Sequence, residues 1–161
     1  MNNYKLIILD FDGTLCATHE AILYCVKRTY KTLNMTVPAH DFIDETIRAG
    51  LGMEKTLLAL SPELTEQQIQ PILDQYEKIY LSEGEQKSAP YSKAGEVLAK
   101  LHAAGYKLAV VSNKAVAAVN TALERFQLKQ YITAVVGDTK TLRKKPDPMA
   151  YTDFIQPKFK E

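Results

Sequence analysis

The chain has 161 residues, of which 46% are apolar and 24% charged, and its formal net charge is +1. That suits one globular domain of usual size, or a core with a smaller lid, and it excludes the strongly basic field of a bulk nucleic-acid binder. Its apolar runs fall far short of ~18 residues, so neither a membrane span nor a secretory h-region is expected. Two cysteines, Cys16 and Cys25, make neither a metal pattern nor a disulfide framework. Free thiols in a reducing, cytoplasmic setting are the simpler reading.

Taken in chain order, the first element is the apolar run Leu6-Ile7-Ile8-Leu9. It is continuous and partly β-branched, which predicts a buried strand. Asp10-Phe11-Asp12-Gly13-Thr14 follows at once. Side chains two apart at a strand end point the same way, so Asp10 and Asp12 can address one site. Two acids there are costly unless a metal or a substrate uses them. From about 18 to 84 the pattern turns helical. Ile22, Leu23, Val26, Tyr30 and Leu33 recur at helical spacing behind Thr18, a candidate N-cap. Asp41 is expected to cap a second helix that stops at Gly50. Thr65 with Gln68 has the capping-box pattern before Ile69, Ile72, Leu73, Tyr76 and Tyr80, with a kink or a later start expected at Pro71. Residues 82–90 are polar and read as a linker.

Beyond the linker the pattern is α/β. A helix is expected over 94–104, ended by Gly105. A strand over 107–111 runs into Ser112-Asn113-Lys114, a helix covers 116–126, and another strand covers 131–136. Such alternation implies parallel pairing with right-handed crossovers. The α/β core is therefore expected at 1–15 and 90–161, with a helical insert at 16–89.

Three polar clusters follow predicted strand or loop ends: Asp10 with Asp12, Ser112 with Asn113, and Lys144 with Lys145 before Pro146-Asp147-Pro148. Carboxyl ends of parallel strands share one crevice, so the clusters can converge. The residue types suit phosphoryl transfer. One Asp can attack phosphorus while the other handles protons. A hydroxyl, an amide and a lysine can hold the non-bridging oxygens, and Mg²⁺ would let an anionic nucleophile approach an anionic phosphate. Ser112-Asn113 could equally cap the helix that follows, and Cys16 is better read as a packing residue than a reactive thiol. His19, His40 and His102 share no metal spacing.

With these motifs in order, Asp10-Phe11-Asp12-Gly13-Thr14-Leu15, Val110-Val111-Ser112-Asn113-Lys114 and Lys145-Pro146-Asp147-Pro148, the chain resembles the haloacid dehalogenase superfamily. Within it, the likeness is to the phosphoglycolate phosphatase-like hydrolases with a helical cap. The resemblance implies a Rossmann-like α/β core and Mg²⁺-dependent hydrolysis of a small phosphorylated metabolite through an aspartyl-phosphate. By this resemblance Asp10 is the nucleophile and a metal ligand. Asp12 is the acid/base and offers its backbone carbonyl to the metal. Thr14, Ser112, Asn113 and Lys145 bind substrate, and Arg48-Ala49-Gly50-Leu51-Gly52 resembles the cap loop that faces it. An Asp at position 12 favours phosphate esters over carbon–halogen bonds, whose cleavage needs no protonated leaving oxygen.

The family's fourth motif, an acidic pair after a further strand, has no counterpart. Sixteen residues follow Lys145. A helix of ~10–12 residues, a strand of ~5–6 and loops of ~2–6 each do not fit there. Gly137-Asp138 precedes Lys145 and is followed by no further acid of such a pair, Asp153 falls in the last predicted helix, and Pro157 is expected to break that helix. Ala17 also stands where many relatives carry an Asp. The expectation is a C-terminally truncated member with an incomplete sheet. In it, residues 6–9 lie at an apolar edge open to pairing, which makes a homo-oligomer a candidate assembly. The alternative expectation is a catalytically impaired remnant that acts by ligand or protein association.

Overall fold

A computed structural model describes residues 5–139 and 141–159. The chain divides into two compact units, one made of Met1–Ala17 with Ala89–Glu161 and the other of Thr18–Ser88.

The second unit is all helical: α1 (His19–Thr32), α2 (His40–Arg48), α3 (Met53–Leu60) and α4 (Glu66–Ile79). Helix α1 buries Ile22, Cys25, Val26, Thr29 and Tyr30 along one stripe, and α4 buries Ile69, Ile72, Tyr76 and Ile79 in the same core. The Tyr30 hydroxyl shares a 2.6 Å hydrogen bond with Ser61 Oγ, which satisfies both buried oxygens. Helix α4 opens as its pattern predicts, with the Thr65 N–H donating to Gln68 Oε1 at 2.9 Å. It then runs through Pro71 without a later start. The N-cap of α2 is Ala39, and Asp41 lies in the first turn, where its charge still suits the helix dipole.

Residues 82–90 depart from the expected linker. A wide π-type turn, Tyr80–Gly84, and a 3₁₀ turn, Glu85–Lys87, continue the helical path. Gly84 explains why. A Cβ at this position would sit 2.5 Å from Cys25 Sγ and 3.0 Å from Tyr80 Cδ2. The bare backbone is what lets this turn press against α1. A Gly84→Ala change is expected to cost about 1–3 kcal/mol by overpacking, measured by urea unfolding, and adding Cys25→Ala should recover part of the loss.

In the first unit, β1 (Leu6–Leu9) is followed by β2 (Cys16–Ala17), which pairs antiparallel with β3 (Ala89–Pro90). Cys16, Ala17 and Ala89 thus belong to this unit. Then come α5 (Ala94–Ala103), β4 (Lys107–Ala115), α6 (Val116–Arg125) and β5 (Ala134–Asp138). Gly105, at φ +85°, ends α5 by donating its N–H to His102, while the Tyr106 N–H reaches the Leu101 carbonyl. The sheet is parallel, in the order β1-β4-β5. Ile7 and Leu9 pack with Leu98, Leu108, Val110 and Val119 on one face, and Leu6 packs with Ala109, Val111, Val136 and Ile155 on the other.

Three sequence expectations shift here. Strand β1 is half-buried rather than buried, because it lies at the sheet edge, and Ile8 is 41% exposed. Residues 129–131 form a 3₁₀ turn, so the last strand starts at Ala134 rather than at 131. Pro157 does not end the last helix. A π-type turn, Ala150–Ile155, leads into α7 (Gln156–Phe159) with Pro157 inside it. A wider turn relieves the clash between the proline ring and the carbonyl four residues back.

Candidate active site

The carboxyl ends of β1, β4 and β5 carry the candidate residues, and local sequence explains their placement. After Asp10, Phe11 buries its ring (1% exposed) and its carbonyl accepts the N–H groups of Thr14, Leu15 and Cys16 at 3.1–3.3 Å. Gly13, at φ +76°, turns the chain and donates its N–H to the Cys16 carbonyl at 2.9 Å. The aromatic residue between the acids is thus the anchor of their loop, and the glycine is its turn. Thr14 lies exposed on this turn.

Asp10 Oδ1 accepts the Phe11 N–H at 2.8 Å and lies 2.9 Å from Lys145 Nζ. Lys145 Nζ also donates to the Val111 carbonyl at 2.9 Å. The Lys145 main chain is bracketed by one side chain: its N–H donates to Asn113 Oδ1 at 2.7 Å, and Asn113 Nδ2 donates to its carbonyl at 3.2 Å. Asn113 therefore positions Lys145. The Lys145–Pro146 peptide is cis. Lys144, grouped with Lys145 by sequence, turns instead to Asp138 at 3.0 Å. Arg143 reaches Asp147 at 3.3 Å, and Asp147 Oδ1 accepts the Met149 N–H at 2.9 Å.

Asp12 has a partner to which the sequence motifs assign no role. Lys114 Nζ lies 3.3 Å from Asp12 Oδ1, with its own side chain 10% exposed. The Lys114 N–H donates to the buried Ser112 Oγ at 3.1 Å. Its signal was its position at the end of Ser112-Asn113-Lys114, directly after an apolar strand. Neither Ser112 nor Asn113 caps α6, whose N-cap is Ala115 without a side-chain bond. Gly137, which the sequence offers only as part of the rejected pair Gly137-Asp138, has a packing role. Strand β5 passes so close that a Cβ on Gly137 would lie 2.7 Å from Val116 Cα and 2.8 Å from the Lys114 carbonyl oxygen. The register between β4 and β5 shifts at this point, between Val111 and Ala115.

At these strand ends the structure thus forms two bonded sets, Asp10 with Lys145 and Asn113, and Asp12 with Lys114 and Ser112. Oxygen donors two residues apart suit a hard cation, and Mg²⁺ is commonly held by one or two carboxylates with waters and substrate phosphate oxygens. Among the described residues, no group of three or more His, Cys, Asp or Glu is placed to hold a metal. Asp10 and Asp12 are the residues that could hold such an ion here, with few protein ligands.

Cys16 lies beside this loop and is fully buried. Burial first, and the Asp12 charge second, push its thiol up from 9.0 to about 12. The folded state favours the neutral thiol, so this contribution to stability is full below pH 9 and is lost as pH rises toward about 12. Alkaline unfolding midpoints of the Cys16→Ala chain should therefore lie above those of the parent relative to their neutral-pH difference. Native Cys16 should also resist alkylation at pH 8.

The haloacid dehalogenase-like hydrolase family model matches residues 7–158, so the chain belongs to that family. A phosphoglycolate phosphatase of Vibrio cholerae is 26% identical, over 97% of this chain and 71% of its own. One from Psychrobacter arcticus is 31% identical, over 89% of this chain and 65% of its own. The crystal structure of a predicted phosphoglycolate phosphatase from Haemophilus somnus superposes with a TM-score of 0.79 at 26% identity, over 94% of this chain and 70% of that one. The chain thus spans about two thirds of the length of these relatives, from 62% to 71% among the curated ones. No described helix is long and apolar enough to cross a membrane.

Proposed function

We infer that this chain is a Mg²⁺-dependent phosphatase of small phosphorylated metabolites that works through an aspartyl-phosphate on Asp10. The observation that carries this reading is the Asp10 carboxylate fixed on one oxygen by Lys145 Nζ at 2.9 Å and by the Phe11 N–H at 2.8 Å. Oδ1 is held, and Oδ2 is the oxygen left to attack. Phosphorus gains the bond to Asp10 and loses the bond to the ester oxygen, which leaves as the alcohol with a proton from the Asp12 carboxyl. Asp12, now a carboxylate, takes a proton from water as that water displaces Asp10 from phosphorus, and phosphate leaves. Lys145 and the Ser112 hydroxyl hold the non-bridging oxygens, and Asn113 acts by keeping Lys145 in place. Thr14, exposed on the same loop, contributes to the substrate contact. When bound by Asp10 and Asp12, Mg²⁺ would supply the charge that lets a carboxylate approach a phosphate dianion.

The relatives' names favour phosphoglycolate or a similarly small monoester as the substrate. The two buried cysteines, neither of them in a disulfide, suit a reducing cytoplasm. The test is hydrolysis of an aryl phosphate, then of a panel of phosphorylated two- and three-carbon acids, sugars and nucleotides, with Mg²⁺ and after chelation. Turnover that stops on chelation and favours a small acid supports the reading. No Mg²⁺-dependent turnover of any member would sink it.

A further inference from the structure

We propose that Lys114 is a positioning residue for Asp12: its ammonium group occupies Oδ1 of that carboxyl and so makes Oδ2 the oxygen that carries the proton to the leaving group. The inference rests on Asp12 being the acid. Lys114 Nζ lies 3.3 Å from Asp12 Oδ1. A lysine ammonium has three N–H donors and no acceptor. The oxygen that faces it can accept a hydrogen bond but cannot offer one, so a proton on Asp12 sits on Oδ2. From there it passes to the ester oxygen as the phosphorus–oxygen bond breaks. It is replaced on Oδ2 by a proton from the water that then attacks the phosphoryl group. Among the described residues, Lys114 is the one side-chain partner of the Asp12 carboxylate. Asp10 has a donor in its own loop, the Phe11 N–H at 2.8 Å, whereas Asp12 takes its orientation from another strand.

Lys114 is itself held on both sides of its main chain. Its N–H donates to the buried Ser112 Oγ at 3.1 Å. Its carbonyl oxygen lies so near β5 that a Cβ on Gly137 would approach it to 2.8 Å. The register of β4 against β5 shifts between Val111 and Ala115, an irregularity of the kind that re-aims a side chain. The two lysines of the site are also exposed to different degrees. The Lys145 side chain is 35% exposed and can meet a substrate phosphoryl group, whereas that of Lys114 is 10% exposed and meets Asp12. Burial leaves such a side chain few rotamers and strengthens its hydrogen bond. A Lys114→Met change keeps most of the apolar stem and removes the ammonium. Either oxygen of Asp12 can then carry the proton, and a misplacement of about 1 Å can cost about 10²-fold in rate.

The test compares an alkyl with an aryl phosphate in the unmodified chain, Asp12→Asn, Lys114→Met, Lys114→Arg and the double variant of Asp12→Asn with Lys114→Met. In Lys114→Met, kcat should fall about tenfold further on the alkyl ester than on the aryl ester, with KM on each changed by less than about threefold. Lys114→Arg should regain part of the loss, and Lys114→Met should cost little more once residue 12 is Asn. Equal kcat losses on the two esters in Lys114→Met, or a raised KM with kcat unchanged, would overturn the proposal and leave Asp12 as the acid, provided Asp12→Asn still discriminates between the esters. If Asp12→Asn does not discriminate, or the unmodified chain turns over neither ester, the reading of Asp12 falls and the proposal falls with it. Where Lys114→Met unfolds, nuclear magnetic resonance decides. The Lys114 ammonium protons should exchange with water about tenfold slower in the unmodified chain than in Asp12→Asn, and equal exchange would overturn the proposal.

Discussion

An Asp10→Asn chain is expected to lose turnover by about 10⁴-fold or more while keeping its fold, because removing a covalent nucleophile removes the reaction path rather than one contact. The geometry separates this from a packing effect. Asp10 is 43% exposed in its side chain, and its replacement is nearly the same size. Asn can still accept the Phe11 N–H, so the loop built on the Phe11 carbonyl should persist. Circular dichroism and the urea midpoint should stay close to those of the parent. Asp12→Asn is expected to fail differently. It leaves the attacking oxygen intact but removes the proton donor, so aryl phosphates, whose leaving groups need little protonation, should suffer less than alkyl phosphates. Equal losses on both substrate types would argue against Asp12 as the acid.

Lys145→Met carries the second large effect. The ammonium group bonds Asp10 and the Val111 carbonyl. Its loss is expected to lower kcat by about 10²–10³-fold, the usual penalty for removing one donor aimed at developing charge. Asn113→Ala is the informative companion. It strips both partners from the Lys145 main chain, and an unsatisfied part-buried polar group costs ~1–3 kcal/mol. Stability should fall, and kcat should drop less than with Lys145→Met, because the ammonium is loosened and not removed. A double variant should be little worse in kcat than Lys145→Met alone, since the two residues act along one line.

Much of this was legible in the sequence. The order of strands and helices in the core followed from continuous apolar runs and their turn residues, and the capping box at Thr65 marked the start of α4. The three polar clusters were placed together because parallel strands put their carboxyl ends on one side. What the sequence hid depends on distances between segments far apart in the chain. Gly84 and Gly137 look like any turn glycine until the Cys25 thiol and the backbone at Val116 are seen against them. Asn113 has the chemistry of a phosphate ligand, and only the position of the Lys145 main chain shows that its carboxamide also brackets that residue. Lys114 read as the tail of a motif until its side chain was found against Asp12. Pro71 does not stop α4, because the buried stripe of Ile69, Ile72, Tyr76 and Ile79 keeps the helix going past one missing hydrogen bond, and at Pro157 the wide turn just before it makes room for the ring.

Acid-quench trapping of the phosphoenzyme tests directly whether Asp10 becomes phosphorylated. The chain is mixed with Mg²⁺ and a phosphoryl-labelled substrate, quenched within one turnover, digested and mapped by mass spectrometry. An acid-stable, hydroxylamine-labile phosphoryl group is expected on Asp10, absent in Asp10→Asn and longer-lived in Asp12→Asn. Turnover in which no quenched sample carries label on Asp10, or in which the label sits on Asp12, would contradict it.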